Sequence, residues 1–174
     1  MRGEPRSRRY PRAPFDRRAG ALAIDAIVAA VPASLGDLGL QLIGFGLLWF
    51  ILRVVVVVRN RGQSLGRWAF DLTIVDDRFG RTPGLLPLLQ RELIVGLEIL
   101  FLLEGFLNLS PQNGWVILAL LPIGIDAAAA FTNLDVRQAL HDRWAQTLVI
   151  QTRRGFSLDL RIKQLLAQTD PRMK

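Results

Sequence analysis

Apolar residues in this chain gather into four blocks, Ala19–Leu35, Leu38–Val58, Leu93–Leu109 and Trp115–Phe131, and nearly all the charge lies between them. About 17–25 apolar residues carry a helix across the hydrocarbon core of a bilayer, so each block reads as a span. The first, third and fourth are short, and flanking polar residues must reach the interface for them to cross. A soluble bundle would alternate polar and apolar faces at helical spacing. Trp49-Phe50-Ile51-Leu52 and Val54–Val58 have no polar face. The turn Ser34–Gly39 is so short that spans one and two must be antiparallel neighbours, and Ser110–Gly114 turns span three into span four.

Between the two pairs, Gln63–Phe70 predicts a short interfacial helix with Trp68 and Phe70 at the head groups. The β-branched run Leu72–Val75 predicts a strand, Asp76–Gly80 a turn, and Leu85–Glu92 a lead into span three. Span four continues as Thr132–Trp144. Thr147–Thr152 is strand-like and could pair with Leu72–Val75, and Ser157–Ala167 is a modest amphipathic helix. The expected fold is an all-α membrane protein: four transmembrane helices as two antiparallel hairpins, with a small cytoplasmic cap that has room for a short strand pair. The expected organisation is a basic flexible segment over residues 1–17, a four-span membrane domain over 18–152, and a basic tail with the amphipathic helix over 153–174.

Charge fixes the orientation. Lys and Arg total 22 against 15 Asp and Glu, a net +7, yet the turns after spans one and three contain neither cation. The cations cluster in the N-terminal segment, the central loop and the C-terminal tail, as the positive-inside bias requires. Both termini are therefore expected in the cytoplasm of a multi-pass protein of the bacterial inner (cytoplasmic) membrane, with a thylakoid membrane as the alternative. Basic segments at a membrane attract anionic lipids. No helix-turn-helix, zinc finger or aromatic-basic RNA motif accompanies them, so nucleic acid is not an expected partner. The absence of cysteine excludes disulfides and thiolate metal sites. No Gly-rich phosphate cradle occurs, and no cofactor is expected.

Five charges fall inside the blocks: Asp25, Arg53, Glu98, Glu104 and Asp126. Each costs about 2.5–3.5 kcal/mol in hydrocarbon. With a helical rise of about 1.5 Å per residue, Asp25, Arg53, Glu98 and Asp126 all sit roughly 9–10 Å from the basic end of their spans. Every span thus offers one ionisable group to a shared layer. Arg53 is the one cation expected there, and its guanidinium fork suits a carboxylate. Two readings compete. In one, Asp25, Glu98 and Asp126 form a proton or monovalent-cation site. In the other, the layer is a polar clasp fixing helix register, with Arg18, Arg59 and Arg91 snorkelling towards the same acids. Glu104 lies nearer the far side, within reach of the interface. Ahead of Asp126, Pro122 removes a backbone hydrogen bond and Gly124 permits close helix approach.

His141 is the single histidine, beside Asp142. Helix neighbours point about 100° apart and do not naturally pair. No nucleophile elbow or ligand cluster goes with it, so neither a catalytic nor a metal-binding residue is assigned. An interfacial hydrogen-bonding role is the default, and the protein is expected not to be an enzyme.

Several motifs in order resemble the RDD family of bacterial membrane proteins, over roughly residues 14–152. They are Arg17-Arg18-Ala-Gly-Ala-Leu-Ala-Ile-Asp25, Gly62-Gln-Ser-Leu-Gly-Arg67 followed by Thr73-Ile-Val-Asp76, Gln90-Arg91-Glu92, and Arg137-Gln-Ala-Leu-His-Asp-Arg143 followed by Thr147-Leu-Val-Ile150. By position the resemblance makes Arg18, Asp25, His141 and Asp142 the family-motif residues. The chain departs from the pattern at Asp71, where the loop often has Gly, and at Gln146, where a small residue usually precedes Thr147. The resemblance implies a transporter of unidentified ligands, with cation–proton exchange in some members. Two functional classes follow: a small, oligomeric transporter or cation/proton exchanger using buried carboxylates, or a non-enzymatic accessory or assembly subunit of a larger membrane complex.

Overall fold

The computed structural model describes residue 11 and residues 13–132, 138–152 and 157–169. The N-terminal basic segment up to residue 10, Arg137 of the closing motif and the end of the C-terminal tail lie outside the described residues.

Helix α1 (Phe15–Ala33) buries a single stripe, Ala21, Asp25, Ala29 and Ala33, at four-residue spacing. Small side chains on that stripe let other elements come close. Asp37 caps α2 (Leu38–Phe50) by accepting from the Leu40 amide at 2.9 Å. Helix α2 runs through a π-helical turn (Ile51–Val55) into α3 (Val56–Arg59), and together they make a 22-residue helix whose most apolar 18 residues have mean hydropathy 2.3. Among the described residues this is the one helix long and apolar enough to cross a membrane by that measure; Val116–Thr132 is a shorter apolar helix. The 22-residue helix buries Gln41, Phe45, Trp49, Arg53 and Val57 at four-residue spacing, with Val54 beside them. Four residues advance an α-helix by about 400°, so such a series drifts by about 40° per step. The wider π turn takes up part of that drift and keeps Arg53 and Val57 on the core side.

Ser64 caps the short helix α4 (Leu65–Ala69), which leads into β1 (Leu72–Asp76). The turn after β1 closes on Asp76, whose Oδ1 accepts from the amides of Arg78 and Phe79. Helix α5 (Leu85–Leu107) is continuous, so Leu85–Glu92 is its first two turns and not a separate lead-in. A 3₁₀ segment (Gly114–Leu120) feeds α6 (Leu121–Thr132). Pro122 occupies the first turn of α6, where a missing amide proton costs nothing, so it does not break the helix. An added Cβ at Gly124 would meet nothing within 4 Å, so this glycine serves no close approach.

The expected extension of span four through Thr132–Trp144 is corrected: α6 is described to Thr132, and α7 (Leu140–Trp144) is a separate short helix, because Ala139 before it has extended geometry. The expected strand pair is present. β1 pairs antiparallel with β2 (Thr147–Gln151), from Leu72 opposite Gln151 to Asp76 opposite Thr147, so the fold is mostly helical with a two-stranded sheet. Helix α8 (Leu158–Thr169) follows.

One apolar core joins α1, α2 and α5 through Ala29, Ala33, Phe45, Trp49, Val95 and Ile99. A second sits under the sheet, where Val54 and Val57 meet Ile74 and Leu88. The outer surface is inverted relative to a water-soluble protein. Leu40, Ile43 and Leu47, Leu97 and Phe101, and Ile117, Ile125 and Phe131 are all exposed, while Asp25, Arg53, Arg91, Glu92, Glu98 and Asp126 are buried. Soluble monomers rarely expose apolar surface on this scale.

Candidate functional site

The buried charges lie where α1, the π turn before α3, α4, α5, α6 and α7 meet. Close packing of α1 on α4 is set by Gly66: a Cβ there would stand 1.9 Å from the carbonyl oxygen of Ala21. At that approach Asp25 takes the Gly66 amide on Oδ1 at 2.7 Å and the Ser64 hydroxyl on Oδ2 at 2.6 Å. Arg53 Nη1 donates to the same Oδ2 at 2.6 Å. Both oxygens of Asp25 are engaged, Oδ1 by one donor and Oδ2 by two, and the residue is fully buried.

Glu92 is the hub. Its carboxylate accepts from Arg53 Nε at 2.8 Å, from Arg67 Nη2 at 2.9 Å, and from Arg91 Nη1. The indole of Trp49 donates to the Glu92 carbonyl at 3.0 Å and lies under the Arg53 guanidinium, 5.1 Å from ring centroid to Cζ. Arg91 turns its Nε to Asp142 Oδ1 at 2.9 Å, while Arg18 donates to Asp142 Oδ2. Arg18 and Arg91 therefore meet on one carboxylate, which lies 124 residues from the first and 51 from the second. Burial opposes ionisation of Asp142, but His141, Arg18 and Arg91 hold its carboxylate well below the usual range.

Beyond Asp142 the chemistry changes. His141 Nδ1 lies 2.6 Å from Asp126 Oδ2, and the His141 amide donates to Asp126 Oδ1 at 2.9 Å. Asp126 thus seats α7 on α6. His141 Nε2 is 3.2 Å from Arg91 Nη2 and 3.4 Å from Asp142 Oδ1. Ring and carboxylate of these sequence neighbours do meet, against the expectation from helix geometry, because Arg91 draws both to itself. Burial opposes charge on His141 and so does Arg91, yet Asp142 and the bonds to Asp126 and Asp142 outweigh them and raise the imidazole above its ordinary pKa.

Glu98 stands apart. It is 8% exposed, and among the described residues its carboxylate makes no hydrogen bond or ion pair. One donor atom each from Glu98, Asp126 and His141 lie within 4.8 Å of one another. All three line a cavity of about 380 Å³ between α1, α5 and α6; Leu22, Ile99 and Ile123 give it apolar wall, and Arg18, Arg53, Arg67 and Arg91 of the network also border it.

The four charges read as one layer are all buried, but in two groups. Asp25 and Arg53 are bonded to each other. Glu98 and Asp126 face the cavity without a guanidinium, joined to the first group through His141, Arg91 and Glu92. The expectation that Arg53 is the sole cation is corrected: Arg18, Arg67 and Arg91 enter the same network, because α4 and α7 fold against the ends of α1 and α5. Glu104 accepts from Gln41 Nε2 at 2.8 Å, which ties α5 to α2 far from this network. Pattern reading missed Glu92, Arg67, Ser64 and Gly66 as site residues. They appeared only inside the loop and Gln90-Arg91-Glu92 motifs, and nothing local marks a charge at a helix start as buried.

The two departures from the family pattern share a conformation. Asp71 (φ 54°) and Gln146 (φ 52°) both adopt left-handed backbone, where Gly is favoured.

No curated protein and no solved structure matches this chain. A sequence model of the RDD family matches residues 34–146. That range holds the central loop, Arg91-Glu92 and the His141-Asp142 pair, and it starts after the Arg18–Asp25 segment, which remains a resemblance. The match extends over more than half of the chain and takes in most of the buried network, so this protein belongs to the RDD family, and with its apolar helix and inverted surface that membership points to a membrane protein.

Proposed function

We propose that this protein is a small, non-enzymatic multi-pass membrane transporter that exchanges a cation for protons, with the cavity at Glu98, Asp126 and His141 as its binding site. The carrying observation is the pairing state of the buried acids. Asp25, Glu92 and Asp142 are each tied to arginine, whereas Glu98 and Asp126 face a cavity with no guanidinium bonded to either. Asp126 is bonded to His141, while Glu98 has no partner among the described residues; an unpartnered carboxylate is expensive in a low-dielectric interior, and a cation or proton offsets that cost.

In this reading α1, α2–α3, α5 and α6 cross the bilayer, the basic loops lie on the cytoplasmic side of a bacterial inner membrane, and the strand pair with α4 and α7 caps that side. Exposed apolar residues on α2, α5 and α6 support it, since they would face lipid. The arginine network is then the clasp that holds the helices in register around the site.

Purified protein in liposomes tests the reading. An imposed proton or sodium gradient should be dissipated by the parent protein and retained by Glu98→Gln. A gradient that persists with the parent, alongside copurification of a stable partner protein, overturns it in favour of an accessory subunit.

A further inference from the structure

We infer that Glu98, Asp126 and His141 form a binding site for a divalent first-row transition-metal ion of the Zn²⁺ or Co²⁺ type. The inference rests on the cation-site reading above and makes the ion specific. Imidazole plus carboxylates is a donor set for such ions, and three protein ligands with a position left open to a cavity is the form of an exchangeable site.

Several observations point the same way. The donor atoms come from three elements and already lie within 4.8 Å of one another. Ligands at about 2.0–2.2 Å from a metal stand roughly 3.4 Å apart in a tetrahedron, so closure needs a side-chain shift on the order of 1 Å. Glu98 is more than nine-tenths buried, faces the cavity, and among the described residues bonds to nothing. Asp126 is bonded only to His141 among the described residues, so two carboxylates match the charge of a dication. Finally, His141 Nε2 lies 3.4 Å from the carboxylate of Asp142, itself fixed by Arg18 and Arg91. A metal-bound imidazole characteristically donates its other N–H to such a carboxylate, which sets the tautomer and ring orientation.

The exchange balances. The metal takes the place of the proton between His141 Nδ1 and Asp126 Oδ2. From a neutral ring that proton is relocated to Nε2 and donated to Asp142, and Arg91 Nη2, 3.2 Å from Nε2, gives up its contact with the ring. From an imidazolium, which already carries the Nε2 proton, one proton leaves to solvent through the cavity.

The test uses the full chain, without a histidine tag, in detergent. Zn²⁺ titration by calorimetry should give one site per chain, and Co²⁺ should give a visible ligand-field band. Glu98→Gln and Asp126→Asn should each weaken Zn²⁺ binding by at least about 100-fold and abolish the Co²⁺ band. Because Glu98 bonds to nothing among the described residues, its amide variant should keep the parent melting temperature and decides the matter even if Asp126→Asn misfolds. Absence of Zn²⁺ binding by the parent, or equal binding by parent and Glu98→Gln, overturns the inference. Sodium or proton flux in liposomes without Zn²⁺ binding would sink the metal site and leave the transport reading standing. Zn²⁺ binding lost in Glu98→Gln without any flux would sustain the site and remove the transporter.

Discussion

Glu92→Gln is the sharpest probe of how this fold is held together. The substitution keeps shape and removes one charge from a carboxylate that three guanidiniums share. At about 4 Å between charge centres and an effective dielectric near 20, each such attraction is about 4 kcal/mol before desolvation. Desolvation already consumes most of that in the parent. It is not recovered in the variant, because Arg53, Arg67 and Arg91 remain buried. Arg67 suffers most: its Nη1 has no hydrogen-bond partner even in the parent, and Nη2 would lose the carboxylate it donates to. Breaking a buried pair from one side costs about 3–5 kcal/mol. For a chain of this size that lowers the melting temperature by about 10 °C, measured by thermal unfolding in detergent. Glu92→Gln with Arg67→Met should recover part of the loss, since one stranded cation goes with the acid. A single variant that melts within about 2 °C of the parent, or a double variant less stable than the single one, would refute the view that Glu92 organises the network.

Three further outcomes are expected. Gly66→Ala would drive a methyl group to 1.9 Å from the Ala21 carbonyl oxygen; α1 and α4 must part, at a cost of about 1–3 kcal/mol in thermal unfolding, while Gly124→Ala, in open space, should be neutral or slightly stabilising. Gln146→Gly removes a left-handed side chain at an exposed turn and should stabilise by about 1 kcal/mol, whereas Gln146→Ala should bring no such gain. Trp49→Phe deletes the bond to the Glu92 carbonyl and weakens the contact with Arg53; denaturant titration should show a loss of about 1–2 kcal/mol.

The four helical blocks, the two strands and their pairing were legible in the sequence because each rests on local signals: apolar runs, β-branched residues and turn residues such as Asp76 and Gly80. Position along each helix was legible too, since residue count fixes distance along a helix, and Asp25, Arg53, Glu98 and Asp126 are all buried. Their grouping was not. Rotation about a helix axis depends on what packs against it. A methyl-free position at Gly66, an alanine stripe on α1 and a π turn ahead of α3 decided that Asp25 would meet Arg53 and Ser64, leaving Glu98 to the cavity. Contacts across 124 residues, such as Arg18 with Asp142, and across 51, such as Arg91 with Asp142, carry no trace in local pattern. The amino-acid order alone determined which residues are apolar, where helices begin, and which charges are too costly to leave unpartnered. Only the folded arrangement determined the partners, because pairing energy falls with distance in three dimensions while sequence separation measures none of it.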